Sequence, residues 1–447
     1  MQRSIRPILK VLLLMLTAAV LILAWQSLPI ISGYGAKVVC SEVFVTGRDK
    51  EDVIKEDLSS FPLNLSSCTV DEKDSSVSAS VWGLAKRKAI YRRGLGATLV
   101  SGLTEGEIRG QRVDRAVPPM VNQDSVDWPM GDRGVIGIEA GDMRAAVGSA
   151  FEPGGEGTGT RAVVVVYHGK IVAERYAPGF DRATRLAGWS MTKGIANAFA
   201  GILVGQGRLD VQKPTAVKQW ANDDRRKIRV EDLLHMRSGL GWWELYTGPG
   251  DATRMLFEEA KMGEYAERSD LRYPPGEVFN YSSGTANILS AIIRSRIDSG
   301  YYRWPYEQLF YKIGMYSAVL EPDAGGTFAG SSYCYATARD WARFGLLYLW
   351  DGVWLGNRLL PKGWVNYTRA GQKYGALWWL NGDEDGKRRY AGVPVDCFSC
   401  EGYGGQHLWV IPSKDLVVVR LAMEHGHRLK AGAFLQQIIM ALPMSGR

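Results

Sequence analysis

Apolar residues along this chain fall into runs of three kinds. Residues 8–28 are almost continuously apolar, about 20 residues and the length that crosses a hydrocarbon core. Residues 162–167 form a β-branched run that turns at His168-Gly169 and returns over 171–176, which predicts a hairpin. Residues 406–411 and 416–422 predict two more strands joined at Pro412-Ser413-Lys414. Between these pairs the spacing is helical. Ile195, Phe199, Ile202 and Leu203 share one face of a helix starting near Ser190, with Gly205 and Gly207 placed to end it. Further helices are predicted over 230–236, 251–265, 285–297 and 337–350, and a last one over 429–442. Strands, a helical block, strands and a terminal helix predict an α+β fold, with an antiparallel sheet of early and late strands and an inserted helical lobe.

Ahead of this domain the pattern is different. Arg3, Arg6 and Lys10 precede the apolar run, and Lys37 is the only basic residue in the dozen positions after it. The positive-inside bias then makes residues 1–7 a cytoplasmic tail and 8–28 an inner-membrane anchor, with the remainder periplasmic. No small-x-small site follows the run, which favours an anchor over a cleaved signal peptide. Residues 32–127 mix charged, Ser-rich stretches with strand-like runs at 77–82 and 88–91, a small accessory β unit. Pro118-Pro119 and residues 128–132 lead into the main domain, 128–447.

Composition adds a few exclusions. The chain has 447 residues, 46% apolar and 23% charged, ordinary for a globular protein with room for two or more domains. Its net charge of +7 is dispersed, with short clusters at 86–88 and 225–227 and no nucleic-acid motif, and attraction to an anionic membrane surface or cell wall explains it as well. Five cysteines in an exported chain permit disulfides, and Cys40 with Cys68 is one plausible bridge. Cys397 and Cys400 have CxxC spacing but no second ligand pair, so no metal is expected. His235 reads as a packed helix residue, and His425 and His427 as surface residues. The glycine-rich stretch 154–159 precedes a strand and lacks a Lys-Ser/Thr, so it is not a phosphate loop.

The candidate chemistry starts at Ser190-Met191-Thr192-Lys193. Spacing of three puts a hydroxyl and an amine on one face of a first helical turn, where burial and the helix dipole both disfavour the ammonium. Tyr281 follows the turn Pro274-Pro275-Gly276 just ahead of a helix and supplies a second proton-handling group, its pKa expected to fall beside the lysine. Gly402-Tyr403-Gly404-Gly405-Gln406 offers backbone amides for an oxyanion.

In this order the three elements resemble the β-lactamase-related serine hydrolases, the superfamily of class C β-lactamases and penicillin-binding proteins, nearest to its 6-aminohexanoate-dimer hydrolase and carboxylesterase types. The resemblance covers about 128–447. It implies a β-lactamase/transpeptidase-like fold and an acyl-enzyme on Ser190, with Lys193 as base and Tyr281 as relay. It also implies an oxyanion hole from the Ser190 and Tyr403 amides, with Gly402, Gly405 and Gln406 on the same strand edge. Trp242, Trp243, Tyr246, Ser283, Trp378 and Trp379 become candidates for the substrate pocket. Two departures bear on substrate: Ser283 stands where class C β-lactamases have Asn, and Cys400-Glu401-Gly402 lacks their carboxylate-binding cation. A small neutral ester or linear amide is therefore expected, with no cofactor. The alternatives are a penicillin-interacting protein or peptidoglycan peptidase, and a non-catalytic binding protein on the same fold. Nothing in the sequence sets the oligomeric state.

Overall fold

The computed structural model describes residues 5–114, 116–135, 141–151, 159–382, 386–424, 426 and 428–443. His425, His427 and most of the glycine-rich stretch (154–158) lie outside the described residues.

The first element is a single 40-residue helix, α1 (Ile5–Phe44). Its described side chains are all exposed from Leu9 to Gln26 and almost all buried from Leu28 to Glu42. The apolar run thus continues without a linker into the folded protein. A short helix α2 (Lys50–Asp57) follows, then strands β1 (Ser66–Asp71), β2 (Ser76–Val81), β3 (Leu84–Arg92) and β4 (Gly96–Val100). These strands form one antiparallel sheet in chain order. Val77, Ala79, Ala89 and Leu99 from this sheet join the core that holds Ala36 and Cys40 of α1. The accessory unit therefore sheathes the outer side of α1, whose other side meets the main domain.

A buried ion network fastens the pieces together. Lys37 Nζ pairs with Glu321 of the main domain, which also accepts from the Ser41 hydroxyl at 3.0 Å and the Ala97 amide at 2.6 Å. Asp57 of α2 receives Arg48 at 2.6 Å and Arg161 at 2.8 Å.

In the main domain, α3 (Gly141–Gly148) precedes the hairpin β5 (Thr160–Tyr167) and β6 (Lys170–Tyr176). The helical block follows, including α4 (Thr192–Gly205), α5 (Asp251–Phe257), α6 (Ser283–Ser295) and α7 (Ala338–Leu349). The last strands are β7 (Trp379–Leu380), β8 (Phe398–Gly402), β9 (Gln406–Ile411) and β10 (Leu416–Ala422), before α8 (Ala431–Met440). They form one antiparallel sheet with the early hairpin, in the order β7-β8-β9-β10-β5-β6. Side chains alternate across a strand, and both faces are covered here. Val163 and Val165 pack with Met143, Phe434 and Leu435 of α3 and α8, while Val164 and Val166 share the core of Phe344 and Leu347 of α7. Burial on both faces is why the β5 sequence is continuously apolar rather than alternating.

Three expectations need correction. The stretch 251–265 is two helices, α5 and Met262–Glu267. The carbonyls of Glu258 and Ala260 between them accept from Ser101 and the Gly325 amide, so tertiary partners take the place of helical ones. The helix at the Ser-x-x-Lys stretch starts at Thr192, after a 3₁₀ turn over Trp189–Met191 that contains Ser190. Cys40 and Cys68 are both free thiols, as are the other three. Cys68 lies beside Gly35, five residues and about 7 Å along the helix from Cys40.

Candidate active site

Ser190 is delivered by a constrained turn. The short strand Leu186–Ala187 pairs with Cys334–Ala336, and the Gly188 amide continues the ladder to the Cys334 carbonyl at 2.8 Å. A Cβ at Gly188 would overlap the ring of Trp341. Trp189 then adopts φ +46°, a left-handed conformation that is costly for a bulky residue. Trp189 opens the 3₁₀ turn that runs to Met191, and Lys193 is the second residue of α4.

Lys193 is fully buried, with Nζ 2.9 Å from Ser190 Oγ, 3.1 Å from Ser283 Oγ and 3.1 Å from the Ser331 carbonyl oxygen. Burial lowers its pKa to about 8, against the opposing charge of Glu244. The partners also fix the roles of the amine. The Ser331 carbonyl can only accept. The Ser283 hydroxyl donates to Glu244 Oε1 at 2.5 Å, so toward Lys193 it accepts. Both hydrogens of a neutral amine are thereby used, and its lone pair is left for the Ser190 hydroxyl.

Tyr281 lies beside Ser190, close enough for the serine hydroxyl to act on the phenol's pKa. Lys193 Nζ sits 4.9 Å from the Tyr281 ring centroid, over the face of the ring. The expected lowering of the Tyr281 pKa is reversed. Burial, followed by the Glu244 charge, pushes the phenol above its ordinary value, so it remains a proton donor at neutral pH.

Glu244 was not among the sequence candidates, and it ties several of them together. Its carboxylate accepts from the Ser283 amide (2.9 Å), the Ser283 hydroxyl, the Trp242 indole (2.5 Å) and the Tyr246 hydroxyl (2.6 Å). The one available signal was its place between two aromatic candidates, in Trp242-Trp243-Glu244-Leu245-Tyr246.

The third element also reaches the site. A Cβ at Gly402 would overlap the Gly188 carbonyl oxygen, so β8 can touch the backbone ahead of Ser190 only because residue 402 is glycine. Tyr403 packs its ring edge-on against Trp189 at 5.5 Å. Gly404 and Gly405 take φ +73° and +87° in the turn. Gln406 secures that turn from behind, donating to the Tyr403 carbonyl at 3.0 Å and accepting from the Ala422 amide at 3.1 Å. Gly405 and Gln406 thus shape the hairpin that presents Tyr403.

Of the aromatic candidates, Trp379 stacks on Tyr281 at 5.4 Å and Tyr246 lies at the rim near Tyr403. Trp242 is buried against Gly284 on α6, and Trp243 is exposed with its amide donating to Asp251 at 2.8 Å. Trp378 is a correction. It is fully buried among Phe344, Tyr348 and Phe398, because adjacent residues on β7 and its approach face opposite ways. Glu401 does not present a bare charge. Arg389 binds it through two hydrogen bonds, at 2.8 and 2.5 Å, and lies 4.2 Å over the Trp379 ring. Burial alone would raise the Glu401 pKa, but Arg389 outweighs it and holds the carboxyl below its usual range. His235 packs edge-on against Tyr367 at 5.2 Å, with its pKa lowered to about 4 by burial.

Comparison with known proteins agrees with this architecture. The Beta-lactamase family model matches residues 147–433. A 6-aminohexanoate-dimer hydrolase from Paenarthrobacter ureafaciens is 26% identical over 317 residues, 63% of this chain and 78% of that protein. A solved family VIII carboxylesterase superposes with a TM-score of 0.54 at 15% identity, over 69% of this chain and 99% of that one. A penicillin-binding protein homologue from Caulobacter crescentus gives 0.52 at 17% identity, with the same coverages. The chain is a serine hydrolase of the Beta-lactamase family.

Proposed function

We propose that Ser190, Lys193 and Tyr281 cleave a neutral carboxylic ester or linear amide through an acyl-enzyme. One observation carries this reading: a buried lysine with a pKa near 8 whose hydrogens are both engaged, leaving its lone pair for the Ser190 hydroxyl at 2.9 Å. Ser190 Oγ bonds to the substrate carbonyl carbon as its proton passes to Lys193, and the carbonyl electron pair moves onto oxygen. The Ser190 and Tyr403 amides are the assigned oxyanion donors. The bond to the leaving oxygen or nitrogen then breaks, and that atom takes a proton from Tyr281, which is restored from the Lys193 ammonium. Water enters by the reverse path. Its proton goes to the same pair, its oxygen bonds to the acyl carbon, and Ser190 leaves with a proton. One water is consumed for each acid and alcohol or amine released.

The substrate class rests on Glu401 and Arg389. Their mutual pairing offers no free cation to a substrate carboxylate, which argues against β-lactams and peptide termini. The relatives named as a dimer hydrolase and a carboxylesterase support amide and ester as the bond types. Leu9–Gln26 is taken as the membrane span, with the catalytic domain on the periplasmic side. The test is fluorophosphonate labelling of the full chain: one adduct on Ser190, absent in Ser190→Ala. Labelling that persists in that variant refutes the assignment.

A further inference from the structure

From Leu9, the first α1 residue whose side chain is described, the bare part of the helix runs 18 residues to Gln26, about 27 Å against a hydrocarbon core of about 30 Å. Burial by the folded domain begins at Leu28, so the domain follows the bare stretch with only Ser27 between them. Other elements crowd the same level. Arg254 of α5 donates to Gln26 at 3.0 Å. Val81 packs with Leu28 and Ile31, which brings the β2–β3 turn alongside, with Trp82 and Leu84 exposed at its tip and Lys86 and Arg87 just behind. Trp25 is exposed on the helix itself. Exposed tryptophans backed by basic side chains at one level are the composition of a membrane–water interface.

The active site is close to that level. Tyr34 stacks on Trp189, the neighbour of Ser190, at 6.1 Å with the rings 11° apart. Eight residues separate Tyr34 from Gln26, about 12 Å of helix. A headgroup layer takes up about 5–8 Å of that distance. The loop after Trp242 hangs on the membrane side. It ends at the start of α5, which touches Gln26 through Arg254 and reaches Gly33 and Tyr34 through Phe257. This loop carries Glu244 and Tyr246 into the site and leaves Trp243 exposed.

We propose that the substrate is a membrane-resident amphiphile, an ester or amide whose scissile carbonyl lies in the head region of a molecule anchored in the same bilayer, admitted past the Trp243 loop. This rests on the serine-hydrolase reading of Ser190. A linker-free helix holds the nucleophile at one height above the leaflet, and a height fixed to within a few ångströms matters only for a substrate whose own height is fixed.

The test uses the full chain in phosphatidylcholine–phosphatidylglycerol vesicles with two fluorogenic umbelliferyl esters. One is short-chain and water-soluble, and the other is carried on a dialkyl lipid. A polar helical insertion of seven residues between Trp25 and Gln26 raises the domain about 10 Å and rotates it by only about 20°. The expected result is a loss of at least roughly tenfold on the lipid-borne ester, with the soluble ester held within about twofold. Equal effects on both esters, or no turnover of the lipid-borne ester while the soluble one is cleaved, overturns the proposal alone. Failure on both together with no fluorophosphonate adduct on Ser190 overturns the hydrolase reading beneath it.

Discussion

The base role proposed for Lys193 makes a quantitative claim about pH. With a pKa of about 8, only about a tenth of Lys193 is neutral at pH 7, and about nine tenths at pH 9. Ser190 can lose its proton only to the neutral form, so acylation should rise close to tenfold between these values, with its midpoint near 8. Glu244 stabilises the ammonium, so Glu244→Gln should move the midpoint below that of the parent. The glutamine can be accommodated. Its carbonyl accepts from the Ser283 amide and Trp242 indole, and its amide faces two hydroxyls, Ser283 and Tyr246, that can turn to accept. The assay is the second-order rate of fluorophosphonate labelling from pH 6 to 9, since the reagent itself does not titrate there. A flat profile in the parent, or a midpoint that stays or rises in Glu244→Gln, refutes the reasoning.

Three further outcomes follow from other contacts. Glu401→Gln leaves Arg389 without its counter-ion over Trp379, so KM for an ester bearing a distal carboxylate should fall several-fold while a neutral ester is unaffected, as steady-state kinetics would read. Lys37→Met strands Glu321 in the interface between α1 and the main domain; a cost of about 3 kcal/mol is expected in thermal or denaturant unfolding. Adding Glu321→Gln should recover part of it, because the amide oxygen still serves Ala97 and Ser41. Gly402→Ala drives a methyl into the Gly188 carbonyl, and about 1–3 kcal/mol of displacement should appear as slower Ser190 labelling with far-UV circular dichroism unchanged.

What the sequence made legible was what local pattern alone determines. The β5–β6 hairpin and strands β9 and β10 were readable because a half- or fully buried strand writes its own periodicity, and α7 because one of its faces carries Trp341, Phe344 and Leu347. Ser190 and Lys193 could be paired from the sequence because they are three residues apart, and the structure puts them 2.9 Å apart. Glu244 was not, since it acts through Ser283, 39 residues further on. Lys37 could be read only as a charge flanking an apolar run, because Glu321 is 284 residues away. Trp378 and Trp379 look equivalent in sequence, yet one fills the core and the other stacks on Tyr281; only the strand register separates them.

The least expected residue is Trp189. Its φ of +46° is one that glycine would adopt without strain, and a bulky residue there carries a penalty of about 1–2 kcal/mol. A tryptophan at such a position implies that the ring is needed. It is buried, stacked on Tyr34 of α1 and edge-on to Tyr333 and to Tyr403 of the third-element turn. Rings of this size bury about 150–250 Å² each, enough to offset the strain several times over. The same packing sets the direction in which Ser190 points. The N-terminal helix α1 therefore contributes one of the three rings that hold the residue before Ser190. The accessory sheet enters this account as well. It contributes no group to the site, but it covers α1 where the helix would otherwise meet water, and so keeps Tyr34 against Trp189. α1, the accessory sheet and the Ser190 turn form one continuous packing unit, and the position of Ser190 depends on all three.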